Sequence, residues 1–247
     1  MPNNNLPLLQ ENLRYLGFGE TLPFNDQLEN EVGTGQKEFH LTTEAYFDEW
    51  SKLEATLYFR KSDQQDMYFL TKYTATLCYI ENPDLNKTQT FYIFKGAGVT
   101  FKEAFNLLQG RAVNKDLIDN DGEKYNAWIQ LDFSSRTLMN NYKIRQFRVQ
   151  YGYDLEKVLS TYPIKELGTE ALKLNLIRSL KKGNIHPVTF AKANKTEKKY
   201  IEACPQFKTI GIYSLALRAA QKVGLLKDLR EKDNQAPTPP ELDDSSK

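Results

Sequence analysis

Cysteine and histidine are scarce in this chain, two of each in 247 residues, and no apolar run is long. With only His40 and His186, a multi-histidine zinc centre is excluded, and neither H-E-x-x-H nor G-x-S-x-G occurs. Cys78 and Cys204 stand outside any C-x-x-C spacing, which fits a reducing, cytoplasmic setting. The apolar runs fall far short of the ~20 residues that a membrane span requires. The start, Met1-Pro2-Asn3-Asn4-Asn5, has no basic segment ahead of an apolar stretch, so no signal peptide is expected. Gly96-Ala97-Gly98 lacks both the third glycine of a dinucleotide fingerprint and the Gly-Lys-Ser/Thr of a P-loop. Around Asp119, Asp121 and Gly122, a calcium loop would need acidic ligands where Leu117 and Trp128 stand. No catalytic residue, metal or cofactor is therefore expected.

What is present is a core-forming composition, 40% hydrophobic with 14 Tyr and 14 Phe, and a hidden charge asymmetry. The net charge is +1, yet residues 1–50 carry 2 Lys+Arg against 9 Asp+Glu. Residues 51–232 carry 30 against 19, and residues 233–247 carry 1 against 4. A basic body lies between two acidic ends.

Periodicity organises the body. Leu6, Leu9, Leu13 and Leu16 recur at helical spacing ahead of Gly17 and Gly19, and a second short helix is expected near Asp26–Glu31. From Phe39 the period changes to two, and about four strands follow as an antiparallel meander up to Lys95. Thr100 with Glu103 forms a capping box for a helix carrying Phe101, Ala104, Phe105 and Leu108. A strand with Tyr125, Ala127, Ile129, Leu131 and Phe133 inward and a strand over 140–150 come next. Asp154 caps a helix that Pro163 closes, and Ala171, Leu172, Leu176 and Leu180 mark another. Three short strands (Pro187–Ala191, Lys199–Ala203, Lys208–Tyr213), a helix over 214–231 and a disordered acidic tail complete the chain. The class is α+β, antiparallel sheet meanders with packed helices, because the elements do not alternate as βαβ units do. The expected units are an acidic helical segment over 1–36, a sheet with one inserted helix over 37–150, helices with a small meander over 151–232, and the tail over 233–247.

The richest constellation is 140–153, with three cations, four aromatics and no acid. In a strand, Tyr142, Ile144 and Gln146 face one way while Lys143, Arg145 and Phe147 face the other. Cations beside aromatics suit single-stranded nucleic acid, with phosphates on Lys/Arg and bases stacked on rings. The competing reading is a solvated strand whose basic stems cover apolar surface. Lys192, Lys195, Lys198 and Lys199 crowd an expected turn, as edge protection or as phosphate contacts.

Four stretches resemble an uncharacterised family of Bacteroidetes proteins carried on conjugative and other mobile elements: Arg60–Phe69, Lys102–Val113, Tyr151–Glu156 and Ile201–Ile210. The resemblance covers roughly residues 13–213, and the family more often has Asn where Cys204 stands. It implies a setting near DNA-processing genes and supplies no reaction. The expectation is a non-enzymatic accessory protein that binds DNA or RNA. Lys143, Arg145, Arg148, Lys192, Lys195, Lys198 and Lys199 would meet phosphates, with Tyr142 or Tyr151 stacking. Residues 1–50 would gate part of that surface. Two alternatives stand beside it: a module that docks a DNA-processing protein such as a topoisomerase or relaxase, and a metal-dependent nuclease using Asp119 or Asp132.

Overall fold

A computed structural model describes residues 5–18, 22–119, 121–192 and 195–214, with residues 22, 23 and 192 described by their backbone alone. The helix expected beyond Ser214 and the tail over 233–247 lie outside the described residues. The fold is α+β, with three antiparallel sheets and helices packed on them.

The period-two segment forms a four-stranded sheet in chain order: β1 (Glu38–Tyr46), β2 (Ser51–Lys61), β3 (Tyr68–Tyr79) and β4 (Lys87–Tyr92). Leu53, Ala55, Leu57 and Phe59 alternate inward as their spacing predicts. On β3 the buried positions are Tyr73, Ala75 and Leu77 but then Tyr68 and Leu70, a change of parity. The register slips at Tyr58/Phe59, leaving Thr71 extra, and the Thr71 hydroxyl donates to the Tyr58 carbonyl at 3.0 Å. A one-residue slip would normally send an apolar set to solvent; this bulge turns both halves inward.

Helices α1 (Leu6–Tyr15), α2 (Leu22–Thr34) and α3 (Phe101–Leu108) close this first core. The second helix is longer than expected, because Phe24, Leu28 and Val32 continue one apolar stripe. The capping box of α3 is complete: the Thr100 hydroxyl accepts from the Glu103 N–H, and the Glu103 carboxylate accepts from the Thr100 N–H.

The middle sheet has the order β5 (Val113–Ile118), β6 (Lys124–Arg136), β7 (Tyr142–Arg148). The first of these is absent from the sequence expectations. Its role explains a second difference. Ile129 and Leu131 point into the first core, as expected, but Trp128 is buried on the opposite face. Tyr142 likewise joins the first core while Phe147 joins a second. This sheet is therefore a wall shared by two cores, each taking alternate residues.

The second core is completed by α4 (Leu155–Ser160), α5 (Glu170–Lys181) and a sheet ordered β10 (Thr209–Tyr213), β9 (Lys195–Cys204), β8 (His186–Lys192). Asp154 caps α4 by accepting from the Glu156 and Lys157 N–H groups. His186, read from sequence as a loop residue, begins β8, and burial lowers its pKa.

Polar side chains tie the pieces together. Gln89 of β4, 2% exposed, meets the first residue of β7: its side-chain oxygen accepts from the Tyr142 N–H at 2.8 Å, and its NH2 donates to the Tyr142 carbonyl at 3.3 Å. Asn141 accepts from the Thr90 N–H beside it. The amide thus bridges two sheet edges as a main-chain ladder would. Beyond α3, buried Arg111 donates to the Gly183 carbonyl at 2.8 Å and to the Asn106 and Gln109 side chains, joining the ends of α3 and α5.

Candidate nucleic-acid interface

Charge divides with the cores. Residues 1–110 carry 9 Lys+Arg against 15 Asp+Glu, whereas residues 111–214 carry 18 against 11. The basic excess therefore belongs to the middle and third sheets, while residues 51–110 are close to neutral, with 7 Lys+Arg against 6 Asp+Glu. The helices of the acidic segment pack on the first sheet. Glu38 pairs with Arg60 and Glu44 with Lys52.

Parity along β7 follows the sequence reading: Tyr142, Ile144 and Gln146 share one face, and Lys143, Arg145 and Phe147 the other. Arg148 therefore sits on the Tyr142 face, away from Arg145. It stacks over the Tyr125 ring at 4.0 Å, while the Tyr125 hydroxyl donates to Gln146. Arg145 is engaged by Asp132, with its Nη2 2.8 Å from the carboxylate and its Nε 3.0 Å away. The Ser134 hydroxyl and Arg145 together hold the Asp132 carboxyl well down, to about 2. Lys143 is exposed and makes no ion pair among the described residues.

The aromatic half of the expectation is corrected at Tyr142. The ring is only 7% exposed, with Phe133 edge-on at 4.8 Å and the Arg136 guanidinium over it at 4.0 Å. Core packing has claimed this ring, so no base can stack on it. Tyr151 is 38% exposed, but Phe147 meets it at 5.0 Å, the Lys208 ammonium lies over it at 4.8 Å, and its hydroxyl donates to the Gln206 carbonyl. Lys208, in left-handed backbone at φ 52°, is a cation that the sequence reading missed.

The lysine cluster is also placed differently. Lys195, Lys198 and Lys199 lie within β9 rather than in a turn, and Lys192 ends β8 opposite Lys195. Lys199 pairs with Glu197 at 3.3 Å, whereas Lys195 and Lys198 are exposed without an ion pair among the described residues. Gln206, which touches Arg145 at 3.4 Å, follows the far end of β9. Nine residues of extended chain, about 30 Å, therefore separate Lys195 from the Arg145–Tyr151–Lys208 group. The two basic clusters stand at opposite ends of one strand.

Other chemistry is sparse. Asp119 accepts from the Asp121 and Glu123 N–H groups, as a turn residue does, and Asp132 is bound to Arg145 and Ser134. The two carboxylates proposed for a nuclease are thus used locally, in separate places. Among the described residues no three His, Cys, Asp or Glu side chains gather into a metal site. An open cleft of about 490 Å³ beside α4, lined by Ser160, Tyr162, Lys165 and the Glu156–Lys173 ion pair, contains none of the expected residues. No described helix is long and apolar enough to cross a membrane. Compared with family models, with curated proteins and with solved structures, the chain matches none of them.

Proposed function

We propose that the protein is a non-enzymatic nucleic-acid-binding protein that grips the phosphate backbone at two separated basic points. The mobile-element setting remains what the resemblance implies. One observation carries the proposal: the half of the chain holding the second core has an excess of seven cations, and most of its exposed basic side chains make no ion pair among the described residues, five of them at the two clusters described above. These are Lys143, Arg148 and Lys208 near the outer edge of β7, and Lys195 and Lys198 on β9. A spacing of about 30 Å matches roughly nine phosphates along one strand of a duplex. Contacts of this kind position a backbone without reading bases. With Tyr142 buried and Tyr151 covered, stacking contributes little, so duplex and single strands bind within a few-fold of each other. Fluorescence anisotropy with labelled single-stranded and duplex DNA and RNA tests this at about 50 mM salt, where micromolar binding is expected. Absence of saturable binding below about 100 µM contradicts it.

A second reading rests on the outer face of the first sheet, the face opposite the first core. His40, Tyr58, Lys72 and Tyr92 form one cross-strand row, and Thr42, Thr56, Thr74 and Thr90 the next. Its cations are largely matched, Lys52 by Glu44 and Glu54, and Arg60 by Glu38 and Asp63. A near-neutral, aromatic surface suits a protein partner better than a phosphate backbone. Nuclease-resistant co-purification of a stoichiometric protein, lost on changing Tyr58 and Tyr92 to Ala, would favour this reading.

A further inference from the structure

Of the six sheet edges among the described residues, five are protected against pairing with another chain. Strands β4, β5 and β10 are short, at six, six and five residues, and the Thr90 N–H of β4 is already taken by Asn141. Strand β7 carries Lys143 and Arg145, and β8 contains Pro187. Strand β1 has none of these devices. It runs nine residues, Glu38–Tyr46, without Lys, Arg, Pro or Gly, and its register with β2 is unbroken throughout.

The direction of its main-chain groups follows from one bond. The Lys61 N–H donates to the Lys37 carbonyl at 2.9 Å, in the same register as the Glu38–Arg60 pair. Hydrogen-bonded pairs alternate along an antiparallel ladder, so Phe39, Leu41, Thr43 and Ala45 exchange bonds with β2. Glu38, His40, Thr42, Glu44 and Tyr46 then aim their N–H and C=O groups at the open edge. Among the described residues none of these groups has a hydrogen-bond partner.

We propose that this edge is a homodimer interface, in which β1 pairs antiparallel with β1 of a second copy about a two-fold axis at Thr42. The whole strand then pairs, and the groups left open on one edge meet those of the other. Side chains favour this register. Thr42 meets the partner's Thr42, Glu38 meets the partner's Tyr46, and His40 meets the partner's Glu44. Glu44 and Glu54 share the one Lys52 ammonium, at 2.9 and 2.8 Å, so a carboxylate charge is in surplus where the imidazole arrives. Moving the axis to Leu41 would set Glu38 against the partner's Glu44. Moving it to Glu44 would set that carboxylate against itself, and like charges directly opposite destabilise a ladder. Half-buried Ala45 comes opposite the partner's Phe39 on the side of the first core. Each copy has one such edge, so assembly closes at two. The proposal stands whether or not the protein binds nucleic acid.

Sedimentation of the full chain tests it: at about 100 µM the mass should be twice 28.6 kDa. Thr42 is exposed on the outer face, so Thr42→Lys spares the core but sets two ammonium groups opposite each other on the axis. It should weaken dimerisation at least about ten-fold. Thr42→Cys reads the register directly, because opposed residues of a hydrogen-bonded pair lie about 5.5 Å apart at Cα, within disulfide reach. Mild oxidation should give a covalent dimer of Thr42→Cys and none of Thr88→Cys, an exposed position on the opposite edge strand β4. A monomer at about 100 µM, a dimer that Thr42→Lys leaves unchanged, or equal cross-linking at both positions overturns the proposal.

Discussion

Replacing Gln89 with leucine keeps the side chain's size but removes both halves of the bridge between β4 and β7. The Tyr142 N–H and carbonyl, whose partner atoms lie at 2.8 and 3.3 Å, then remain inside the protein unbonded. A buried polar group left unsatisfied costs about 1–3 kcal/mol. The longer bond counts for less, and the extra apolar surface of leucine returns part of the loss. A net destabilisation of about 2–4 kcal/mol follows. Urea unfolding followed by tryptophan fluorescence measures it as a lowered midpoint at unchanged slope, because the exposed area does not change. Gln89→Glu adds a diagnostic. Its carboxylate accepts from the Tyr142 N–H but repels the carbonyl, and only the protonated acid can donate to that carbonyl. Burial against a carbonyl raises the folded-state pKa, so the defect is present at neutral pH and shrinks as pH falls toward about 4. A leucine variant within about 0.5 kcal/mol of the parent would refute the bridge.

Other perturbations have defined outcomes. Gly183 has φ +77°, and a Cβ there would stand 2.8 Å from the Ala112 carbonyl oxygen and 2.9 Å from Val113. Gly183→Ala should cost about 2 kcal/mol or more in chemical denaturation, whereas Gly168→Ala, in open space, should cost little. The Asp132 carboxyl is held down to about 2 by Ser134 and Arg145. Its folded pKa lies below its unfolded one, so its stabilisation is present above about pH 4 and is lost as pH falls through about 2. The stability gap between the parent and Asp132→Asn should therefore close between those values, and a gap independent of pH would contradict the assignment.

Much of the fold was legible because its signals are local. Alternation from Phe39 marks strands, and the Thr100–Glu103 pair marks the start of α3 with both of its hydrogen bonds. What escaped depends on neighbours distant in sequence. Alternation in β6 assigns Ile129 and Trp128 to opposite faces but cannot say that a separate core covers each. The bulge at Thr71 hides the inward positions of β3 by changing parity midway. Gln89 gave a usable hint, since a polar residue at an inward position beside Phe91 demands a polar partner. Within the candidate interface, residue type alone marked Tyr142 as a stacking ring, although the first core, Phe133 and Arg136 cover it. Arg145 read as free because Asp132 lies 13 residues away on the neighbouring strand. Lys208 was overlooked because its basic neighbours are near only in space.

The proposed two-point grip on phosphate is tested most directly by the salt dependence of duplex DNA binding, measured as log K against log salt concentration. Five phosphate contacts predict a slope of about −4.5. Changing Lys195 and Lys198 to Ala should flatten it by about 2, and Lys143 and Lys208 together by about 2 as well. Because the two groups stand about 30 Å apart, the quadruple variant should show the sum of both effects. A parent slope flatter than about −1, or slopes unchanged in both double variants, would contradict the two-point grip.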